Sequence, residues 1–552
     1  MAPVPFRHPV RYTPLALAGT HLALIVYLTY AVGASLYTSY KSLGPAQDTR
    51  SRLAQRKRFA PVFLALAAAA FSLATCSSIV YTRLSYITWA YEHGLDLPGH
   101  LVGDDGYIPD TRDSSQLYVA QWLSDTPVFE ALEIVAEKAR RFWWGQQIDL
   151  ATTAFSMLLA IEGRRRKIPM LSAFVALAQL VNLSFAQNLF YLALLLTPSP
   201  LPAGDGDLQL PVVPFPPSQW AHLRDRLLPP KPGNWFPHPS IFACALALNL
   251  AFIFFIPYAA GTSSFTTAVL LTRLSTFLPL ILPKIVPGKW GTVYQHPHDA
   301  YHSFVNLFRF LSVAAFALHA KVTFTGLVFN APYSHYHRHS ALFPWDVEER
   351  SKWERSTTAL GKLLGSTSDH PVVAAVGWDV LICTLSLGVW AAVRATNVND
   401  IFHSVIPFYS PTTSQAIEST PQMKEQTPQS PSIKEELETS DDIEHEHHMT
   451  LRRRDRSGKV RGSSIVSSSG VSEAVVPPST RKRGRPKKTK QVKEEEMAYE
   501  PSPAEARQLV EGDVLPPQEL DWDSAALAWG LFAFSGLASA SAGVFGGECV
   551  AR

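Results

Sequence analysis

The residues best equipped for chemistry lie where a membrane would surround them. The run Trp143-Trp144-Gly145-Gln146-Gln147-Ile148-Asp149 continues through Ala151 to Ile161 as an apolar segment that carries a carboxylate. Gln146, Asp149, Thr153 and Ser156 are spaced three, four and three apart, so a helix would place them on one side. Hydrocarbon penalises an ionisable group, which therefore usually faces protein or water inside a bundle. One reading is an acid-bearing stripe lining an intramembrane pocket. The other is a helix–helix contact in which Asp149 lies near the interface and bonds to a neighbour.

Further acids and amides extend the set. Glu92 ends an apolar span and shares a face with Ser85 and Trp89, and Glu130 lies in the amphipathic stretch Val128 to Arg141. Asp379 shares a face with Cys383, Ser386 and Trp390. Asp149, Glu92, Asp379 and Glu130 are the candidate proton donors, with Asp149 first. Gln146, Trp89, Trp143, Gln187 and Asn188 are the candidate substrate contacts. A carboxylic acid kept from water can donate a proton, and aromatic faces stabilise cations. Together inside a membrane they suit protonation of an isoprenoid double bond or epoxide and guidance of the resulting carbocation. The plain alternative for the aromatics is an interfacial belt. Arg309 either pairs with an acid or snorkels to the interface.

The elements that must hold these groups are read from hydropathy. A bilayer needs about 20 apolar residues in a helix. Pro14–Tyr37, Phe59–Ala90, Trp143–Ile161, Ile168–Leu196, Ile241–Ala260, Phe265–Ile285, Ser303–Phe329, Pro371–Arg394 and Ser524–Gly547 qualify. The expected fold is all-α, a polytopic transmembrane helix bundle of about eight or nine spans. The first span reads as a retained signal anchor. Basic runs, Lys41 to Arg58 and Arg164 to Lys167, place both of those loops on the cytoplasmic side. Counted onward, Glu92, Gln146, Asp149, Gln187 and Asn188 fall in the lumenal half and Asp379 in the opposite one. The same count puts the insert 408–519 in the lumen, against its strongly basic runs.

Bulk composition narrows the class. The chain has 552 residues, 47% hydrophobic, with a formal net charge of +3. Mean hydropathy is only +0.04, because residues 408–519 form a polar insert rich in Pro, Ser, Glu and Lys, a composition of disorder. The expected organisation is a bundle over 1–400, the disordered insert, and a final span over 520–552. Four scattered cysteines give neither a zinc pattern nor a disulfide framework. No aspartate-rich pyrophosphate motif, Walker motif or GxGxxG occurs, and no cofactor is expected. His296, His298 and His302, then His335, His337 and His339, depart from the spacing of di-iron histidine boxes, so no metal site is expected. His445, His447 and His448 sit in a tract without fixed geometry. Arg483-Gly484-Arg485-Pro486 resembles an AT-hook, but reads better as a solvated basic run near lipid head groups, and nucleic acid is not expected as a partner.

Several stretches resemble a family of fungal integral-membrane proteins of meroterpenoid and indole-diterpene biosynthesis. They are Arg140-Arg141-Phe142-Trp143-Trp144-Gly145-Gln146-Gln147, Glu162-Gly163-Arg164-Arg165, Ser184-Phe185-Ala186-Gln187-Asn188-Leu189-Phe190, His370-Pro371 with Val376-Gly377-Trp378-Asp379-Val380, and Ala542 to Glu548. The pattern covers most of the chain except the insert, which departs from it. Some members of that family are terpene cyclases that close a prenyl chain on an aromatic or indole head. The resemblance therefore implies a multi-pass membrane cyclase, expected in the endoplasmic reticulum, whose partners are membrane lipids and a lipid-like prenylated small molecule. The alternative from a different class is a non-catalytic multi-span protein: a transporter, receptor or pathway scaffold.

Overall fold

Long apolar stretches in hydrocarbon must pair their own backbone groups, which makes them helices. The computed structural model bears this out and describes residues 11–42, 50–95, 118–197, 235–293, 297–333, 337–338, 347–348, 350–394, 396–409 and 520–550. In chain order the helices are α1 (Tyr12–Ser42), α2 (Arg50–Glu92), α3 (Val119–Asp125), α4 (Glu130–Ala136), α5 (Ala139–Leu158), α6 (Leu171–Leu180), α7 (Leu183–Leu196) and α8 (Pro239–Ala259). Then come α9 (Phe265–Ser275), α10 (Leu278–Ile285), α11 (Pro297–Asn330), α12 (Lys352–Leu364), α13 (Pro371–Arg394), α14 (Val398–Val405), α15 (Trp522–Ser535) and α16 (Leu537–Val550). Short antiparallel pairs, Trp235–Pro237 with Gly291–Val293 and His337–Arg338 with Val347–Glu348, are the strands among the described residues.

Among the described residues, five helices (α1, α2, α8, α11 and α13) are long and apolar enough to cross a membrane, or six if α9 and α10, bent by 60°, count as one span. This is fewer than the eight or nine expected: α5 is not apolar enough to count, and two further apolar stretches turn back. Ion pairs at the helix ends fix their directions. Arg140 and Arg141, at the start of α5, meet Asp369, just before α13, at 2.8 and 3.5 Å. At the far ends of the same helices, Glu548 takes Arg394 at 2.6 Å and Arg166 at 3.1 Å. So α5 and α13 run parallel, and Asp379 lies at the same depth range as Asp149 rather than in the opposite half.

The expected span Ile168–Leu196 is not one helix. It breaks at Val181-Asn182, where both residues leave the helical region. Leu171 packs on Gly163, and Leu194 O accepts from Arg166 at 3.2 Å. Both outer ends therefore lie at the Glu548 end of the bundle, and α6–α7 is a re-entrant hairpin. The expected span Ser524–Gly547 behaves the same way. Asp521 N donates to Ala392 O at the Glu548 end. The chain turns at Gly536 (φ 84°), beside the His319 ring, and α16 returns to place Glu548. A side chain at Gly536 would need a left-handed backbone and would meet that ring about 3.0 Å away, so glycine is required there.

The turn in each hairpin changes the span count on which the placement of the insert rested. Arg164–Lys167, the end of α14, where Val405 meets Gly543, and the start of α15 lie towards the Glu548 end of the bundle. Residues 1–412 with 512–552 make one compact unit, and residues 413–511 of the insert lie outside the described residues. The AT-hook-like run and His445, His447 and His448 lie outside the described residues.

That end is closed by a buried charge cluster. Glu162 sits in a π-helical turn, Leu159–Gly163, that extends α5. Its carboxylate takes Arg165 at 3.1 Å and Arg166 at 3.2 Å, while Arg166 and Arg394 share Glu548. Both carboxylates are fully buried. Removing one partner of such a cluster strands the others, a loss of about 3–5 kcal/mol.

Two outcomes follow. Glu548→Gln should lower the thermal midpoint of the detergent-solubilised protein well beyond Glu354→Gln, measured by the same melt. Protease-cleavable tags after Thr197 and Tyr409 should be cut from one side of sealed vesicles, and a tag after Leu95 from the other.

Candidate functional site

A helix that stops inside a bundle exposes the amides that open it and the carbonyls that close it. At the α6–α7 break these groups are met by charged side chains from other helices. Asp379 on α13 accepts from Leu183 N at 3.1 Å and Ser184 N at 2.8 Å. The Asn182 side chain accepts from Phe185 N at 3.1 Å. Across the break, Arg273 on α9 donates to Gln179 O at 2.6 Å. An anion thus sits on the amino end of α7 and a cation on the carboxyl end of α6, the arrangement the helix dipoles favour.

The break opens a cavity of about 200 Å³ between α2, α4, α5, α6, α8, α9 and α13. Its polar wall is Ser78, Asp149, Thr152, Gln179, Asn182, Thr272, Arg273 and Asp379, and its apolar wall includes Leu132, Val135, Phe142, Ile256, Phe265 and Val269. Close approach of α4 to α5 shapes one side: a side chain at Gly145 would run 2.6 Å from Val135. The opposite side is shaped by the bend between α9 and α10. Asn249 holds that bend, donating to Thr272 O at 3.1 Å and Ser275 Oγ at 2.6 Å, while its own oxygen meets the Thr153 hydroxyl.

The acids proposed from sequence separate here. Asp149 and Asp379 share the cavity, which the sequence count had argued against. Asp379 is already committed to the α7 amides. Arg273 is the charged neighbour of Asp149, and among the described residues no hydrogen bond or ion pair engages the Asp149 carboxylate. Glu92 is exposed at the end of α2. Glu130 faces α2, accepting from the Tyr81 hydroxyl at 2.8 Å, while α4 offers Leu132, Val135 and Ala136 to the cavity instead.

The expected polar stripe also divides. The cavity face of α5 is Phe142, Gly145, Ile148, Asp149 and Thr152, rotated from the face of Gln146. Gln146 is buried with an unpartnered side-chain oxygen, Thr153 serves Asn249, and the Ser156 hydroxyl returns to Thr153 O. Trp143 donates to Thr323 Oγ1 at 2.9 Å. Trp89 donates to Asp125 at 3.1 Å, in a cluster with Trp122. Gln187 donates to Tyr191 Oη at 2.8 Å, and Asn188 to Ser184 O at 2.8 Å, both below the break and outside the cavity lining. Arg309 donates to His403 O and meets no acid among the described residues. His370, beside Asp369, has its imidazole pushed below the usual value, by burial first and by Arg141 second. Among the described residues no cluster of His, Cys, Asp and Glu is arranged to hold a metal ion; His296, His335 and His339 lie outside them.

Sequence reasoning missed Arg273, Asn182 and Asn249. A lone arginine in the apolar stretch 265–285 was the available signal.

No protein family, curated protein or solved structure matches the chain. The reading of the site therefore stands on its geometry.

The division of labour between the acids is testable by melting. Asp379→Asn removes the anion from the α7 terminus and should cost about 1–3 kcal/mol. Asp149→Asn, which breaks no hydrogen bond, should leave the midpoint within a degree or two of the parent.

Proposed function

We propose that the protein is a multi-pass membrane terpene cyclase. In this reading Asp149 protonates the terminal alkene or epoxide of a prenylated small molecule held in the cavity. One observation carries it: Asp149 presents a carboxyl group, without a hydrogen-bond partner among the described residues, to a chamber with an apolar wall inside a helical bundle. A carboxylic acid so placed can hand its proton to a carbon chain packed against it. Arg273 then stabilises the carboxylate left behind, and Phe142 and Phe265 offer ring faces to the cation that travels along the chain. In the final step the carbocation loses a proton from a neighbouring carbon to the Asp149 carboxylate, forming the alkene and restoring the acid, so product and substrate have equal mass. No cofactor takes part. Membrane lipids and a prenylated aromatic or indole are the partners of this reading, and an endoplasmic reticulum location belongs to it.

A second reading is transport. It is favoured by the two re-entrant hairpins, since broken helices with termini at mid-membrane are a recurrent way of building transporter sites. The cyclase reading is preferred because both termini of the α6–α7 break are already occupied by Asp379 and Arg273.

The full chain is expressed in membranes and supplied with a prenylated phenol or indole and the corresponding epoxide. The expected outcome is a product of unchanged mass and altered retention. Asp149→Asn should lower its rate at least about 100-fold, with membrane insertion unaltered. An active Asp149→Asn protein removes the proposed acid; uptake of unchanged substrate into sealed vesicles supports transport instead.

A further inference from the structure

A second chamber adjoins the first. It measures about 580 Å³ and shares Ala136 and Phe142 with the cavity of Asp149. Phe142 lines both, and the second, with Tyr258 and Phe329 exposed, is the outer room and the first the inner one. The outer room lies at the Arg140 end of the bundle and is lined by Glu137, Lys138, Arg140, Tyr258, Lys321 and Phe329, among others. Its charge is lopsided. Arg140 is spent on Asp369 at 2.8 Å, and Glu137 reaches Arg141 at 4.0 Å. Lys138 and Lys321 have no carboxylate within ion-pair reach among the described residues.

Lys321 is held in place by aromatic rings rather than by an acid. Its ammonium sits 3.7 Å from the Phe254 ring centroid and 4.7 Å from that of Tyr258, and donates to the Tyr258 hydroxyl at 2.8 Å. A cation positioned on ring faces keeps its remaining donors for something else. An inner room with one apolar wall, joined to an outer room with two ammonium groups not paired to a carboxylate among the described residues, fits a ligand of matching polarity.

We propose that the outer room binds the anionic head of an amphiphile, a carboxylate or phenolate on an aromatic ring, whose prenyl tail passes Phe142 into the inner room. This deepens the cyclase reading and rests on it for the tail's identity, though binding can be measured without turnover. Lys321 and Lys138 pair with the head. Tyr258 and Phe329 flank its ring. The head thereby fixes how far the tail reaches, which would set the carbon brought to Asp149.

The test uses the full chain in nanodiscs of zwitterionic lipid. The probes are farnesylated 4-hydroxybenzoic acid and its methyl ester, and tryptophan quenching reads affinity. The acid should bind about tenfold tighter than the ester, the worth of one well-placed ion pair of about 1.4 kcal/mol. Lys138→Gln combined with Lys321→Gln should bring the two probes to parity, while Lys321→Arg should keep the preference. Phe142→Trp should weaken the farnesyl acid but spare a dimethylallyl analogue. Equal binding of acid and ester by the parent protein, or a preference that survives the double substitution, overturns the proposal. Tight binding of the acid without any isomeric product would instead count against the cyclase reading alone.

Discussion

A helix interrupted in the middle of an apolar bundle is tolerated only if its freed backbone groups find partners, since each one left bare there costs several kcal/mol. The break at Val181-Asn182 meets that demand with Asp379 and Arg273, one from α13 and one from α9. Both side chains are charged, both come from other helices, and each has the sign that its helix terminus attracts. The rest of the site is a consequence. Ending α6 early leaves the gap that becomes the cavity, and holding Arg273 at the rim puts a cation beside Asp149.

The same economy of charge organises the opposite end of the bundle. Glu162 and Glu548 are buried only because Arg165, Arg166 and Arg394 converge on them. The π-helical turn at Leu159–Gly163 lets α5 deliver Glu162 to this point. One cluster therefore joins α5, α13 and the tip of α16, while Arg166 also donates to the Leu194 carbonyl in the last turn of α7. Both re-entrant hairpins are anchored where they leave the bundle, and their turns are left to shape its interior. Tyr191 stacked on Trp390 at 4.5 Å fills the space between.

How much of this was legible depends on what kind of information each feature needs. That Asp149 lies in an apolar helix and must face protein or water could be read from one line of sequence, because hydrocarbon penalises an acid there. The face it shares could not. Spacing of three and four residues grouped it with Gln146 and Thr153, yet the cavity takes Phe142, Gly145 and Thr152 as its neighbours. Helical periodicity says which residues lie together, while packing decides which of two adjoining faces meets the open space. Arg273 carries no such signal by itself: a single arginine near a span's middle reads like a snorkelling one until its carbonyl partner on α6 is seen.

The sequence by itself determined that the chain is helical, that several of its helices suit a membrane, and that polar chemistry is concentrated near Asp149. Hydrophobicity and backbone pairing are local and leave no other choice for such stretches. Only the tertiary structure decided that Ile168–Leu196 and Ser524–Gly547 turn back instead of crossing, that α5 and α13 run parallel, and that Asp379 and Asp149 share a wall. Hydropathy is blind to direction: an apolar stretch reads alike whether it spans or folds on itself. The deciding facts are contacts between residues hundreds of positions apart, such as Arg166 with Glu548, and no short window of sequence contains both partners.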